Sequence, residues 1–275
     1  MSDILTLATM ATLAIGAALH DPPSEGRTVA HYLANEAVMV VDGETKVLFD
    51  PLFDHGYGVY PALPGTALAK LMADEAPFDG IDAVFVTHGH GDHFSAEKTI
   101  AFLKARSDVM LVVPAQVLEM MEADVAWSDD LAGRIRAVHL SNGDDAATFA
   151  FEDIDVTAIR IPHSGWPERA EVQNLVYQVT LNDHVTVMHL GDADANDNHY
   201  AQYEEYFAEH PSHVGFPPYW FLLKEEGLAI LDTRLHILRA IGVHVPITVP
   251  QALEETGLEY FATLGEYRVI DVSAD

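Results

Sequence analysis

The chain of 275 residues contains no cysteine. Disulfides and thiolate metal ligands are therefore excluded, and the redox compartment is left open. Basic side chains are also scarce: 14 Lys plus Arg stand against 43 Asp plus Glu, a formal net charge of −29 at pH 7. A surface that negative repels phosphate backbones and anionic headgroups, so neither a nucleic-acid partner nor a stable membrane association is expected. Such a balance fits a heavily hydrated surface of the kind found in salt-adapted organisms. The sequence also lacks an apolar run long enough for a confident membrane span: Ile4 to Leu19 covers sixteen residues, short of the roughly 20 that a bilayer requires. That run ends in the small-residue pattern Ala14-Ile-Gly-Ala-Ala18, as a signal-peptidase site does, yet its front end carries Asp3 and no Lys or Arg. Segment 1–20 is either an export signal, placing the protein in the periplasm or outside the cell, or an N-terminal helix packed on the domain. Export is favoured over a cytoplasmic location by a narrow margin.

What is present begins with an apolar content of 49%, enough for a large core. Strand and helix signals, with no internal repeat or second compositional block, fit one α/β domain over residues 28–275. Asp21 to Arg27 reads as a short linker before it. Within the domain, seven residues dominate: Thr87-His88-Gly89-His90-Gly91-Asp92-His93. Three imidazoles and a carboxylate between glycines are the donor types that bind zinc and its first-row neighbours. The run follows Ile81 to Val86, a buried-strand pattern, and its glycines let the chain turn so that successive side chains converge. A histidine-rich turn with Asp92 or Ser95 capping a helix over Ala96 to Ala105 accounts for the cap but not for three histidines.

The His88, His90, Asp92, His93 pattern resembles the His-x-His-x-Asp-His hallmark of the metallo-β-lactamase superfamily of metallohydrolases. Other segments extend the likeness. Glu36 to Pro51 resembles that family's opening hairpin, with Asp42-Gly43 as its turn and Asp50-Pro51 closing the second strand. Arg160 to Gly165 is similar to the segment carrying a third histidine, Val187 to Asp194 to the strand and turn carrying a bridging aspartate, and Ile241 to Pro246 to the last ligand strand. The fold this implies is an αββα sandwich, two mixed β-sheets flanked by helices.

The resemblance also implies a ligand set: His88, His90 and His163 on one metal, Asp92, His93 and His244 on a second, and Asp192 on both. Two divalent ions, Zn(II) first and Fe or Mn as alternatives, would stand roughly 3.5–4 Å apart with a bridging hydroxide as nucleophile. Asp92 would both ligate and orient that hydroxide. The ions would offset only four of the negative charges. His236, in the run Arg234 to Arg239 that looks helical, competes with His244 for the last place. His189 and His184 are expected to be structural or to support the ligands from behind, and His199, His210 and His213 to lie on the surface, with His199 also a possible substrate contact. Aromatic residues at Trp166, Tyr219 and Trp220 are either packing ridges or an apolar wall beside the metals.

The function implied is hydrolysis of a small ester, lactone, amide or phosphodiester. β-Lactamase activity is the lesser alternative, because true β-lactamases generally lack the ligand at Asp192 and one subclass needs a cysteine. Diiron redox relatives usually have a glutamate where His90 stands. A mononuclear-iron sulfur dioxygenase, or a metal-binding relative without hydrolytic activity, is the alternative from another class. The substrate and the oligomeric state are left open by the sequence.

Overall fold

The computed structural model describes residues 27–272. The apolar run 4–19 and all but the last residue of the 21–27 linker lie outside the described residues, and among these no helix is long and apolar enough to cross a membrane.

The fold starts with three strands that are apolar on both faces: β1 (Thr28–Ala34), β2 (Ala37–Asp42) and β3 (Thr45–Phe49). Asp42-Gly43 turns the chain between β2 and β3, with Gly43 at φ 60°, as the dipeptide predicts. A second tight connection, Asn35-Glu36, joins β1 to β2 where Ala34 pairs with Ala37. Next come α1 (Gly65–Ala73), β4 (Ala83–Phe85), α2 (Ala96–Ala105), β5 (Met110–Pro114), α3 (Ala115–Glu122) and β6 (Ile135–Val138). Strands β3 to β6 run parallel, as intervening helices that cross over one face require.

The second sheet is mainly antiparallel: β7 (Ala147–Phe151), β8 (Ile154–Arg160), β9 (Leu175–Leu181) and β10 (Val185–His189), with β11 (Val214–Phe216) parallel to β10. Helices α4 (Glu204–Glu209), α5 (Glu225–Ala229) and α6 (Gln251–Thr256) precede β12 (Tyr267–Ile270), which returns to the first sheet beside β1. The orders are β12-β1-β2-β3-β4-β5-β6 and β11-β10-β9-β8-β7.

Side-chain alternation builds the layers. Val38, Phe49, Phe85 and Val112 point between the sheets and meet Val156, Tyr177, Val179 and Val187. Their neighbours Met39, Leu48, Val84 and Leu111 point the other way, under Leu71 of α1, Ile100 and Phe102 of α2 and Val117 of α3. On the far side Ile159, Val176 and Met188 pack with Phe207 of α4, Phe221, Ile230 and Leu253 of α6. Helices thus flank two mixed sheets, the architecture expected from the sequence.

One element departs from expectation. The run Arg234 to Arg239 is not helical: α5 passes into a π-helical turn over Ile230–Arg234 and stops, with His236 at φ 47°. Residues beyond it are drawn out along β11, where Ile237 pairs with Ser212, Ala240 with Gly215 and Val243 with Pro218. Pairing at that sheet edge buries Ile237, Ile241 and Val243 and overrides the helical periodicity. The expected last ligand strand is consequently a series of isolated bridges.

Candidate metal centre

The centre assembles where β4 ends. Asp50, just after β3, accepts hydrogen bonds from the Thr87 amide at 2.7 Å and the Thr87 hydroxyl at 2.5 Å, which pins the start of the histidine loop. Ser95 accepts from the Lys98 amide and begins α2, so the loop is clamped at both ends. The capping expectation for Ser95 therefore holds alongside the ligand cluster. Between the clamps Gly89 lies close under α3: a Cβ there would stand 2.6 Å from Met120 Sδ.

His163 follows β8 on a segment held antiparallel to the one carrying Asp192, through Ser164 N–H to Asp192 O at 2.7 Å and Asp194 N–H to Pro162 O at 2.8 Å. Asp192 follows Gly191, whose φ of 54° and closeness to Thr87 and Asn174 leave no room for a side chain. Buried Asn174 donates to Leu190 O and accepts from the Asp192 amide. His244 comes in on the drawn-out segment at φ 57°, its amide donating to Asn35 O.

All seven residues named from the sequence converge. Donor atoms of His88, His90, His163 and Asp192 lie within 4.8 Å of one another, as do those of Asp92, His93 and His244. His90 Nδ1 stands 3.1 Å from both His88 Nε2 and His163 Nε2. Those two nitrogens carry lone pairs. Thr87 gives its hydroxyl proton to Asp50 and so accepts from His88 Nδ1–H, while His163 Nδ1–H donates to Ser164 O at 2.7 Å. The same logic applies to His93, which donates Nδ1–H to Asp50 at 2.8 Å and turns its Nε2 lone pair inward. These inward lone pairs converge beside His90 Nδ1, an arrangement that a cation can share.

Asp192 lies between the two groups. Its Oδ2 is 3.2 Å from His163 Nε2 and 3.9 Å from His88 Nε2, and its Oδ1 is 3.2 Å from His244 Nε2 and 3.4 Å from His93 Nε2. Asp92 Oδ2 is 3.4 Å from His244 Nε2. Buried His93 Nε2, His244 Nε2 and Asp192 Oδ1 have no hydrogen-bond partner, so the residues present fit a bound cation pair. Burial opposes the charge on Asp92 and Asp192, but the imidazoles of His244 and His93 outweigh it and hold both carboxyls below their ordinary values. Burial drives His88 well down, and His90 is lowered by burial and then by His163. At His93 burial again opposes the charge, but Asp192 and Asp50 outweigh it and hold the imidazole well above its ordinary value, so a cation would displace its second proton. Neutral imidazole and ionised carboxylate are the forms that ligate.

His236 belongs to none of these groups, and His244 takes the last place. His189 stacks on Phe49, donates to Glu36 O at 2.9 Å and accepts from Gly191 N–H, a structural support behind the centre. His184 sits instead just before the other end of β10, paired with Asp42 at 3.0 Å, because the length of β10 (Val185–His189) separates it from the site. His210 is exposed and stacked on Tyr206. His213, expected on the surface, is half-buried and accepts from the Thr186 amide. His199 is half-buried, with Nε2 3.7 Å from Asp194 and its ring beside Trp166.

Of the aromatic residues, Trp220 lies beside His244, with centroids 5.4 Å apart and its indole N–H donated to Ala193 O. Tyr219 packs against Trp220, and Trp166 stands further out, 38% exposed. Three participants were missed. Asp50 orients Thr87 and His93. Tyr60 sets its ring edgewise on His244 at 4.0 Å, its phenol pushed up to about 12 by burial and then by Asp192. Glu36 is fully buried, 3.6 Å from His93 Nδ1, its carboxyl driven well above the usual range by desolvation. An Asn-Glu dipeptide between two apolar runs was the available signal for Glu36; nothing in the local sequence points to Tyr60.

The sequence model of a family described as "Beta-lactamase superfamily domain" matches residues 45–208. A UPF0173 metal-dependent hydrolase of Thermus thermophilus is 36% identical over 63 residues, 23% of this chain and 22% of that protein. One of Pyrococcus furiosus is 24% identical over 156 residues, 57% of this chain and 58% of its own. The chain thus spans less than two thirds of the length of either curated relative. Among solved structures, a possible metal-dependent hydrolase from Veillonella parvula superposes with a TM-score of 0.59 at 14% identity, over 88% of this chain and 99% of that one.

Proposed function

Because the chain belongs to the beta-lactamase superfamily domain family, we propose that it is a hydrolase that holds two divalent metal ions and cleaves a small ester, lactone, amide or phosphodiester. His88, His90 and His163 hold one ion, Asp92, His93 and His244 the other, and Asp192 serves both. The observation that carries this is the placement of Asp192, one oxygen turned to each group of imidazoles.

Two ions bound there supply an activated water near neutral pH and electrophilic assistance at the bond being cleaved. The remaining work belongs to the chain. Asp50, Thr87 and Ser164 keep the ligand imidazoles in the tautomers that face inward. Asp92, ionised because His244 and His93 stand beside it, orients the attacking water by accepting its proton in a hydrogen bond. Trp220 and Tyr60 flank His244 and give the substrate an apolar wall. The Asp92–His93–His244 group supplies donors for a second ion, and the number of ions bound separates this reading from the mononuclear-iron alternative.

Metal quantification followed by a screen of a lactone, a nitrophenyl ester, bis-nitrophenyl phosphate and a cephalosporin tests the proposal. Two equivalents of metal, and turnover lost in Asp92→Ala and His90→Ala, are expected. Wild-type rates in both variants, or one iron with oxygen consumption on a persulfide, would overturn it.

A further inference from the structure

Glu36 is the carboxylate that the ligand set above leaves unexplained. It is the second residue of the two-residue turn between β1 and β2, a position normally open to solvent, yet it is 0% exposed and both its oxygens lack a hydrogen-bond partner. A buried acid in that state is costly and is kept where something else satisfies it. Neither of the imidazoles nearest to it hydrogen-bonds it. His93 Nδ1, 3.6 Å away, already donates to Asp50; His189 Nδ1, 4.0 Å away, accepts from the Gly191 amide.

The Asn35-Glu36 turn is also wired to the centre. Asn35 takes φ 39°, its side chain donates to Asp92 O at 3.0 Å, and its carbonyl accepts from the His244 amide. Donor atoms of Glu36, Asp192 and His244 lie within 4.8 Å of one another. Seven buried atoms on the turn and the ligands beside it are without partners: Asn35 Oδ1, both Glu36 oxygens, Asp192 Oδ1, His93 Nε2 and both ring nitrogens of His244.

We propose that Glu36 is an additional metal ligand at the Asp92–His93–His244 end of the centre, which thereby prefers a harder divalent ion than the imidazole-rich end. The inference rests on the dinuclear reading above. With Glu36, that end offers three carboxylates, Glu36, Asp92 and Asp192, and two imidazoles, whereas the other offers three imidazoles and Asp192 alone. A set of five donors, three of them carboxylates, suits Mn(II) or Fe(II), and a compact imidazole-rich set suits Zn(II). The sequence contributes to this by placing Asn-Glu, not Asn-Gly or Asp-Gly, in a hairpin turn.

Metal-free full-length protein is titrated with Zn(II) and with Mn(II), the latter followed by the electron paramagnetic resonance of free Mn(II), for wild type and Glu36→Gln. The isosteric variant is expected to bind Mn(II) at the second end roughly tenfold or more weakly, with Zn(II) uptake at the imidazole-rich end unchanged. Anomalous diffraction from wild-type crystals grown with Mn(II) supplies a readout that does not depend on the variant folding. A Glu36 oxygen in the Mn(II) coordination shell supports the inference. Two ions with Glu36 outside both shells, or equal Mn(II) affinity in a folded Glu36→Gln, overturns it and leaves the dinuclear reading standing. A wild type that takes up one ion only, at the imidazole-rich end, overturns both.

Discussion

His93 donates Nδ1–H to Asp50 Oδ2 at 2.8 Å, and the same oxygen accepts the Thr87 hydroxyl at 2.5 Å. One buried carboxylate just past the end of β3 therefore sets the tautomer of His93 directly and that of His88 through Thr87. Asp50→Asn keeps the size and loses the second acceptor, so metal affinity should fall about 10- to 100-fold. Competition with a calibrated chelator measures this, and an unchanged affinity would show that loop packing alone orients the imidazoles.

Gly191 is required by shape. A Cβ at that residue would stand 2.5 Å from Asn174 Oδ1 and 2.7 Å from Thr87 Cβ, at a φ of 54°. Gly191→Ala should cost at least about 2 kcal/mol from backbone strain and crowding, and move Asp192 with it. The checks are the thermal midpoint, expected to drop by roughly 4–8 °C, and metal content. A variant with wild-type values for both would mean that the Asn174 and Thr87 contacts yield freely.

Removing the metal should destabilise the protein by mass action. At a free ion concentration about 100 times the dissociation constant, binding contributes about 2.7 kcal/mol, so dialysis against a chelator should lower the midpoint by roughly 5–10 °C. Added Zn(II) or Mn(II) should restore it. A midpoint indifferent to chelation and refilling would argue that the seven ligands are satisfied without cations.

His31, on β1 opposite Tyr267 and outside the metal groups, isolates one proton for a pH experiment. Burial and then Lys46 lower its pKa to about 4 from 6.5. The folded state holds it neutral, so between pH 6.5 and 4 the unfolded chain takes up a proton that the folded chain refuses, and stability is lost as pH falls through that window. By pH 4 the loss approaches about 3 kcal/mol. Urea midpoints of wild type and His31→Gln, compared from pH 7 to pH 4, should converge on acidification if wild type starts the more stable; a pH-independent difference would refute the buried neutral histidine.

Legibility followed sequence distance. His88, His90, Asp92 and His93 were readable because they share one loop whose strand before it and cap after it, Ser95, are local signals; α2 forms over Ala96–Ala105 as its pattern predicts. The Asp42-Gly43 turn was equally local. Arg234 to Arg239 was misread because its apolar spacing is helical while the free edge of β11 rewards extension. Glu36 and Tyr60 were invisible as site residues because their partners, His93 and His244, lie 57 and 184 residues away, as the residue numbers show.

By itself the sequence determined the donor chemistry: three imidazoles and a carboxylate in seven residues, no thiolate anywhere, and the strand pattern that ends where the loop begins. Tertiary structure alone decided how those donors are completed. It brought Asp192 between two imidazole groups, gave His244 rather than His236 the last place, and turned Glu36 inward, since each depends on sheet pairings between distant segments and not on any local preference of the chain.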